Sequence, residues 1–199
     1  MKNLQDEEEY QQKLKQLAQL LWLEKEGHIE LYYGDASGFN LTPYIPYGWQ
    51  EKGQTIRITP KKSKRLNVFG FLTRNNEFQA YTTEGTINSD LLIAFIDHFV
   101  QSITQRTAII LDNATIHHSD NFKEKIKEWA SKDLYIFYLP TYSPHLNIIE
   151  TLWRKIKYEW LKPHHYESWT VLKENINKIL LQIGEKYFVN FNDLKTPFI

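Results

Sequence analysis

Ala108-Ile-Ile-Leu-Asp-Asn-Ala-Thr-Ile-His-His-Ser119 decides how this chain folds. Its apolar opening does not alternate with polar residues, so residues 107–111 read as a short strand buried on both faces. Ser119 can cap a helix that carries Phe122, Ile126 and Trp129 on one side. Leu134-Tyr-Ile-Phe-Tyr-Leu139 is a second apolar strand, stopped by Pro140. Strand, helix and strand in succession argue for a sheet that is at least partly parallel.

Upstream, Leu91, Leu92, Phe95, Ile96, Phe99, Val100 and Ile103 share one helical face. Residues 45–86 read as a β meander, with turns at Tyr47-Gly48, Lys52-Gly53, Asn75-Asn76 and Glu84-Gly85. Val68-Phe-Gly-Phe-Leu72 and Phe78-Gln-Ala-Tyr81 flank the third turn as a hairpin. Residues 29–34 read as a strand that delivers Asp35. Tyr10, Leu14, Leu17 and Leu21 mark a helix over 5–26, with Asp6 to Glu9 at its positive end. Downstream, a helix is expected from Asn147 to Leu161, and a last one carries Trp169, Leu172, Ile176, Ile179 and Ile183. The order implies an α/β fold, a mixed sheet covered by helices on both faces, in one domain over residues 1–199.

Bulk properties narrow the function. The 199 residues are 42% hydrophobic, enough to bury a core, and 24 basic side chains balance 24 acidic ones. No global basic charge announces nucleic acid, but a local stripe suffices to contact phosphates. The absence of cysteine excludes disulfides and thiolate metal sites. No apolar run approaches the roughly 20 residues that span a bilayer, and no signal-peptide core follows Met1. A soluble, intracellular protein without a membrane partner is expected.

Three acidic residues stand where chemistry is expected. Asp35 and Asp112 each follow an apolar run, and Glu150 opens the amphipathic stretch Glu150-Thr-Leu-Trp-Arg-Lys-Ile-Lys157. Such carboxylates can converge on hard divalent cations, which prefer oxygen ligands, and without a cation their mutual repulsion is costly. Each also has a plainer reading. Asp112 can be a turn aspartate before the next helix. Glu150 stands three residues after Asn147, the spacing of a capping box.

Four segments together resemble the catalytic domain of the DDE transposases, in the mariner-like superfamily that includes many bacterial insertion-sequence enzymes. They are Tyr33-Gly-Asp-Ala-Ser-Gly-Phe39, Tyr47-Gly-Trp-Gln-Glu-Lys-Gly53, Leu111-Asp-Asn-Ala-Thr-Ile-His-His-Ser119 and Leu139-Pro-Thr-Tyr-Ser-Pro-His-Leu-Asn-Ile-Ile-Glu-Thr-Leu-Trp153. The resemblance covers roughly residues 29–182. It implies a ribonuclease H-like fold, a mixed five-stranded sheet flanked by helices on both faces. It implies Asp35, Asp112 and Glu150 as catalytic and metal ligands for two Mg2+ (or Mn2+) ions. The activity implied is cleavage and strand transfer at insertion-sequence ends, by transesterification. A ribonuclease H-like nuclease without strand transfer, or an inactive DNA-binding remnant, are the alternatives.

The implied partners are double-stranded DNA (terminal inverted repeats and target), a second copy of the chain, and a separately encoded helix-turn-helix module, since one helix alone precedes the first strand. The implied location is the bacterial cytoplasm, at the nucleoid. Lys61, Lys62, Lys64, Arg65, His117, Arg154 and Lys155 are candidate DNA contacts, and Lys157 follows them in the last cluster. Two departures stand out: Ile148 occupies a position where proline is usual, which should loosen the loop slightly, and Ala36 replaces an acidic residue. Trp49, Trp153 and Trp160 are expected to pack in the core or in loops.

Overall fold

The computed structural model describes residues 4–43, 64–114, 116, 119–141 and 143–191. Five strands run β1 Glu30–Phe39, β2 Leu66–Leu72, β3 Phe78–Thr83, β4 Thr107–Leu111 and β5 Leu134–Tyr138. They form one sheet in the order β3-β2-β1-β4-β5. β1, β2 and β3 pair antiparallel, whereas β4 runs parallel to both β1 and β5. Five α-helices accompany them: α1 Leu4–Lys25, α2 Ser89–Phe99, α3 Asp120–Ala130, α4 Ile149–Lys155 and α5 Trp169–Leu181. The mixed five-stranded sheet expected from the sequence is present. The part of the expected meander at 44–63, with its turns at Tyr47-Gly48 and Lys52-Gly53, lies outside the described residues.

Pleating explains how the sheet carries two cores. Successive side chains alternate between its faces. Leu31, Tyr33 and Phe39 of β1, Leu66, Val68 and Leu72 of β2, and Ala108 and Ile110 of β4 join α1, α4 and α5 in one cluster. Phe69, Phe71, Ile109 and Leu111 join α2 and α3 in the other. Every residue of β4 is buried, as a central parallel strand with helices above and below requires.

Local signals hold where the backbone itself decides. Ser119 caps α3, its Oγ accepting the Phe122 N–H at 3.2 Å, and Asn88 and Ser168 do the same for α2 and α5. Trp129 of α3 is fully buried, edge-on to Phe122, and its indole donates to Asp97 of α2 at 2.7 Å. At the β2–β3 turn Asn76 adopts φ 65°, a left-handed conformation that asparagine tolerates. Its buried amide exchanges hydrogen bonds with the Val189 backbone at 3.0 and 2.7 Å, tying the hairpin to the C-terminal region.

Two expectations need correction. β1 does not end at Asp35 but continues to Phe39, because Asp35 through Phe39 remain paired with β2. Only the pairing with β4 stops, at Tyr33 opposite Ile110. Asp35 is therefore internal to its strand on one side and at a divergence on the other. The helix expected over 147–161 begins two residues later, at Ile149, and its last turn, Ile156–Trp160, is π-helical; a separate 3-10 turn at Pro144–Leu146 precedes it.

Candidate active site: a cleft lined by three carboxylates

Parity along the strands brings the acids together. Asp35 follows Leu31 and Tyr33 at two-residue steps, and Asp112 follows Ala108 and Ile110, so both belong to the face that α4 covers. Asp35, Asp112 and Glu150 line one cleft of about 320 Å³, with Asn113, Pro140, Ser143 and Asn147 among its other walls. β1 supplies the first acid, the exit of β4 the second, and the first turn of α4 the third.

Their charges act on one another. Burial, then the Glu150 charge and that of Asp112, push the Asp35 carboxyl up to about 7, against the lowering effect of the Ala36 N–H and the Trp153 indole. The Trp153 Nε1 donates to Asp35 Oδ2 at 3.0 Å. Gly70 makes room for that approach. It is the cross-strand partner of Asp35, and a Cβ there would lie 2.7 Å from Phe78 Cε2 and 3.0 Å from Trp153 Cη2. Trp153 is thus a core residue, as expected, and also a hydrogen-bond donor to the site. Its three-residue spacing from Glu150 was the available signal, since such pairs share a helix face.

Asn147 departs from its expected role. It ends the 3-10 turn instead of capping α4, and no side chain caps α4 at Ile148. The Asn147 amide is buried and donates to the Gly34 carbonyl at 3.1 Å. Because the Asn147 side chain points to β1, Glu150 completes no capping box. The Glu150 N–H instead donates to the Asn147 backbone carbonyl at 3.1 Å. Ile148 has φ −63°, the value a proline would impose, and is buried in the core. The loosening expected from losing proline is therefore offset by packing.

The basic candidates separate. Lys61, Lys62, His117 and the second expected segment around Trp49 lie outside the described residues. Lys64 is exposed. Arg65 packs across the backbone of Gly38, and its Nε donates to Asn67 at 2.8 Å. Arg154 and Lys155 line a separate groove with Tyr158 and Glu159, where Lys155 is ion-paired to Glu159 at 2.7 Å. Lys157, in the π-helical turn, senses the acids. Desolvation lowers its pKa, while the charges of Glu150 and Asp35 oppose that shift, and its Nζ stands 5.4 Å from the Phe39 ring centre.

Residues 30–173 match the family model of the DDE superfamily endonucleases. The chain belongs to that family. A relative of this DDE-family chain is the insertion element IS630 uncharacterized 39 kDa protein of Shigella sonnei, 27% identical over 148 residues. That match covers 72% of this chain and 43% of the relative, so the chain spans less than half the relative's length. Among solved structures, the Mos1 mariner paired end complex with Mn is similar with a TM-score of 0.65 at 13% identity, over 93% of this chain and 58% of that one. The catalytic domain of Mos1 mariner transposase has a TM-score of 0.57 at 12% identity, over 91% of this chain and 83% of that one. At such identities the likeness establishes the fold, which is ribonuclease H-like.

Three carboxylates with a deficit of positive charge make a donor set suited to hard divalent cations. Among the described residues, however, no three acidic, histidine or cysteine side chains are gathered into a closed metal site. In the DDE-family chain Asp35 Oδ2 is turned to Trp153 and Asp112 Oδ1 accepts from the Ala114 N–H at 3.4 Å. Asp112 is exposed. No helix among the described residues is long and apolar enough to cross a membrane.

Proposed function

We propose that this chain is a transposase catalytic domain that cleaves DNA at insertion-sequence ends and joins the freed strand to target DNA, with Asp35, Asp112 and Glu150 as its catalytic and metal-holding groups. The observation that carries the reading is the shared cleft, in which the charges of Glu150 and Asp112 help raise the half-buried Asp35 carboxyl to about 7. Family membership and the insertion-element relative support it. So do the neighbours in fold, among them a strand transfer complex and paired-end complexes with Mn and with Mg.

Two magnesium or manganese ions, when bound, would supply positive charge against the negative charge that builds on the attacked phosphate. The protein's part is to hold the acceptors. Asp35 is fixed by β1 and the indole of Trp153, Glu150 by the first turn of α4, and Asp112 by the exit of β4. Lys157 and Arg65, whose charges act on each other, would take up a DNA phosphate in this reading. A homodimer, with a separately encoded helix-turn-helix partner to read the terminal repeats, would bring two ends together at the nucleoid in the cytoplasm.

The test is a product assay on the native element ends with magnesium, using calcium as the binding control. Nicked ends joined covalently to a new duplex are expected. Nicks without joined products would leave an endonuclease, the activity named by the family, and no cleavage at all would leave a DNA-binding remnant.

DNA binding by the basic segment has its own measurement. Replacing Lys61, Lys62, Lys64 and Arg65 together by glutamine should flatten the dependence of log affinity on log salt by about 0.9 for each phosphate no longer neutralised. An unchanged slope removes the segment from the interface.

A further inference from the structure

We propose that Asn147 and Trp153 are positioning residues that lock Asp35 to the segment carrying Glu150, so that one short stretch sets the spacing of two of the three acids. The proposal rests on the cation-holding role assigned above. Glu150 stands midway between them in sequence, three residues from each. Each reaches the same point of β1 by a different route. Asn147 Nδ2 donates to the carbonyl of Gly34, the residue before Asp35, at 3.1 Å, and Trp153 Nε1 donates to the Asp35 carboxylate itself at 3.0 Å. One bond fixes the backbone and the other, with the Ala36 N–H, fixes the rotation of the carboxylate.

The remaining atoms fit this division of labour. The backbone carbonyl of Asn147 accepts the Glu150 N–H, so the same residue touches the supports of both acids. The Trp153 ring is held edge-on by Phe39 and Phe78, with centres 6.4 and 6.1 Å away. It therefore cannot swing from Asp35 without disturbing the core. Asn147 Oδ1 is buried in the cleft wall and has no hydrogen-bond partner among the described residues. A buried acceptor left unpaired is costly, and an asparagine that merely pinned a loop would need its amide N–H group alone. The unpaired oxygen lies in the segment that also carries Glu150, which marks this asparagine as more than a loop pin.

The experiment is calorimetric titration of the full chain with Mn2+, comparing Trp153→Phe, which keeps a ring and loses the donor, and Asn147→Leu, which keeps the volume and loses both polar atoms. Each variant is expected to bind Mn2+ about ten- to a hundredfold more weakly, with a cation-free melting temperature close to that of the parent. Parental affinity in both variants, with binding lost in Asp112→Asn, overturns the positioning role alone. Parental affinity in Asp112→Asn as well overturns the cation site and the proposal with it.

Should a variant fail to fold, the unaltered chain decides by nuclear magnetic resonance. The Asn147 side-chain amide and the Trp153 indole proton are expected to shift together on saturation with Mg2+. Resonances that stay in place overturn the proposal.

Discussion

Asp112→Asn is expected to reduce magnesium-dependent nicking of element-end DNA by about a thousandfold or more, while leaving the fold intact. Loss of one member of a group that acts as a unit costs nearly as much as loss of the whole, which sets that scale. Asp112 follows the wholly buried β4 but is itself exposed. The Ala114 N–H that it accepts can be accepted equally by an asparagine oxygen. Stability should therefore change by no more than about 0.5 kcal/mol, as for surface substitutions generally. Circular dichroism and a melting curve check the fold, and a nicking assay checks the chemistry. Undiminished cleavage by this variant would remove Asp112 from the active site.

Asp35→Asn should do something less familiar and make the cation-free protein more stable at pH 8. The Asp35 carboxyl is raised from its ordinary value to about 7 in the folded chain, first by burial and then by the Glu150 charge. Between about pH 4 and 7 the unfolded chain gives up this proton while the folded chain keeps it. Stability is then fullest below pH 4, falls as pH rises, and reaches its floor above 7. Allowing for the partial exposure of Asp35 to the cleft, the loss is on the order of 1–3 kcal/mol. Asparagine carries no charge and avoids it, so the melting temperature at pH 8 should rise by about 2–4 °C for each kcal/mol recovered.

A divalent cation should reverse the comparison. It binds the folded state alone and stabilises it by mass action. The parent protein should gain in melting temperature on addition of magnesium at pH 8, gain much less at pH 5, and Asp35→Asn should gain little at either. A parent protein whose melting temperature ignores both pH over this range and magnesium would contradict the raised carboxyl and its role together.

What the chain revealed unaided was local. The unbroken apolar run at Ala108–Leu111 announced a doubly covered strand, Ser119 announced the start of α3, and Asn75-Asn76 announced a hairpin, because each signal acts through neighbours a few residues away. The family motifs then selected Asp35, Asp112 and Glu150 from 24 acidic residues, and pleat parity explains why the two strands can present theirs to one face.

Capping and strand ends proved less secure. Asn147 had the right type and spacing to cap α4, but its amide found the Gly34 carbonyl, 113 residues away in sequence, where β4 parts from β1 and leaves room for a donor. Asp35 closes an apolar run, yet its strand goes on, because β2 continues to pair with it through Gly70.

Residue type and spacing alone therefore determined the strand and helix order and the α3 cap, which follow from short-range sterics, hydrogen bonding and periodic burial, while the family resemblance of the motifs singled out the candidate acids. Tertiary packing alone decided that the indole of Trp153 holds Asp35 from 118 residues away, that Asn147 braces β1, and that Lys157 senses the acids while Lys155 pairs with Glu159. Those choices depend on which groups the folded sheet and helices bring within hydrogen-bonding distance. A linear pattern does not encode such distances.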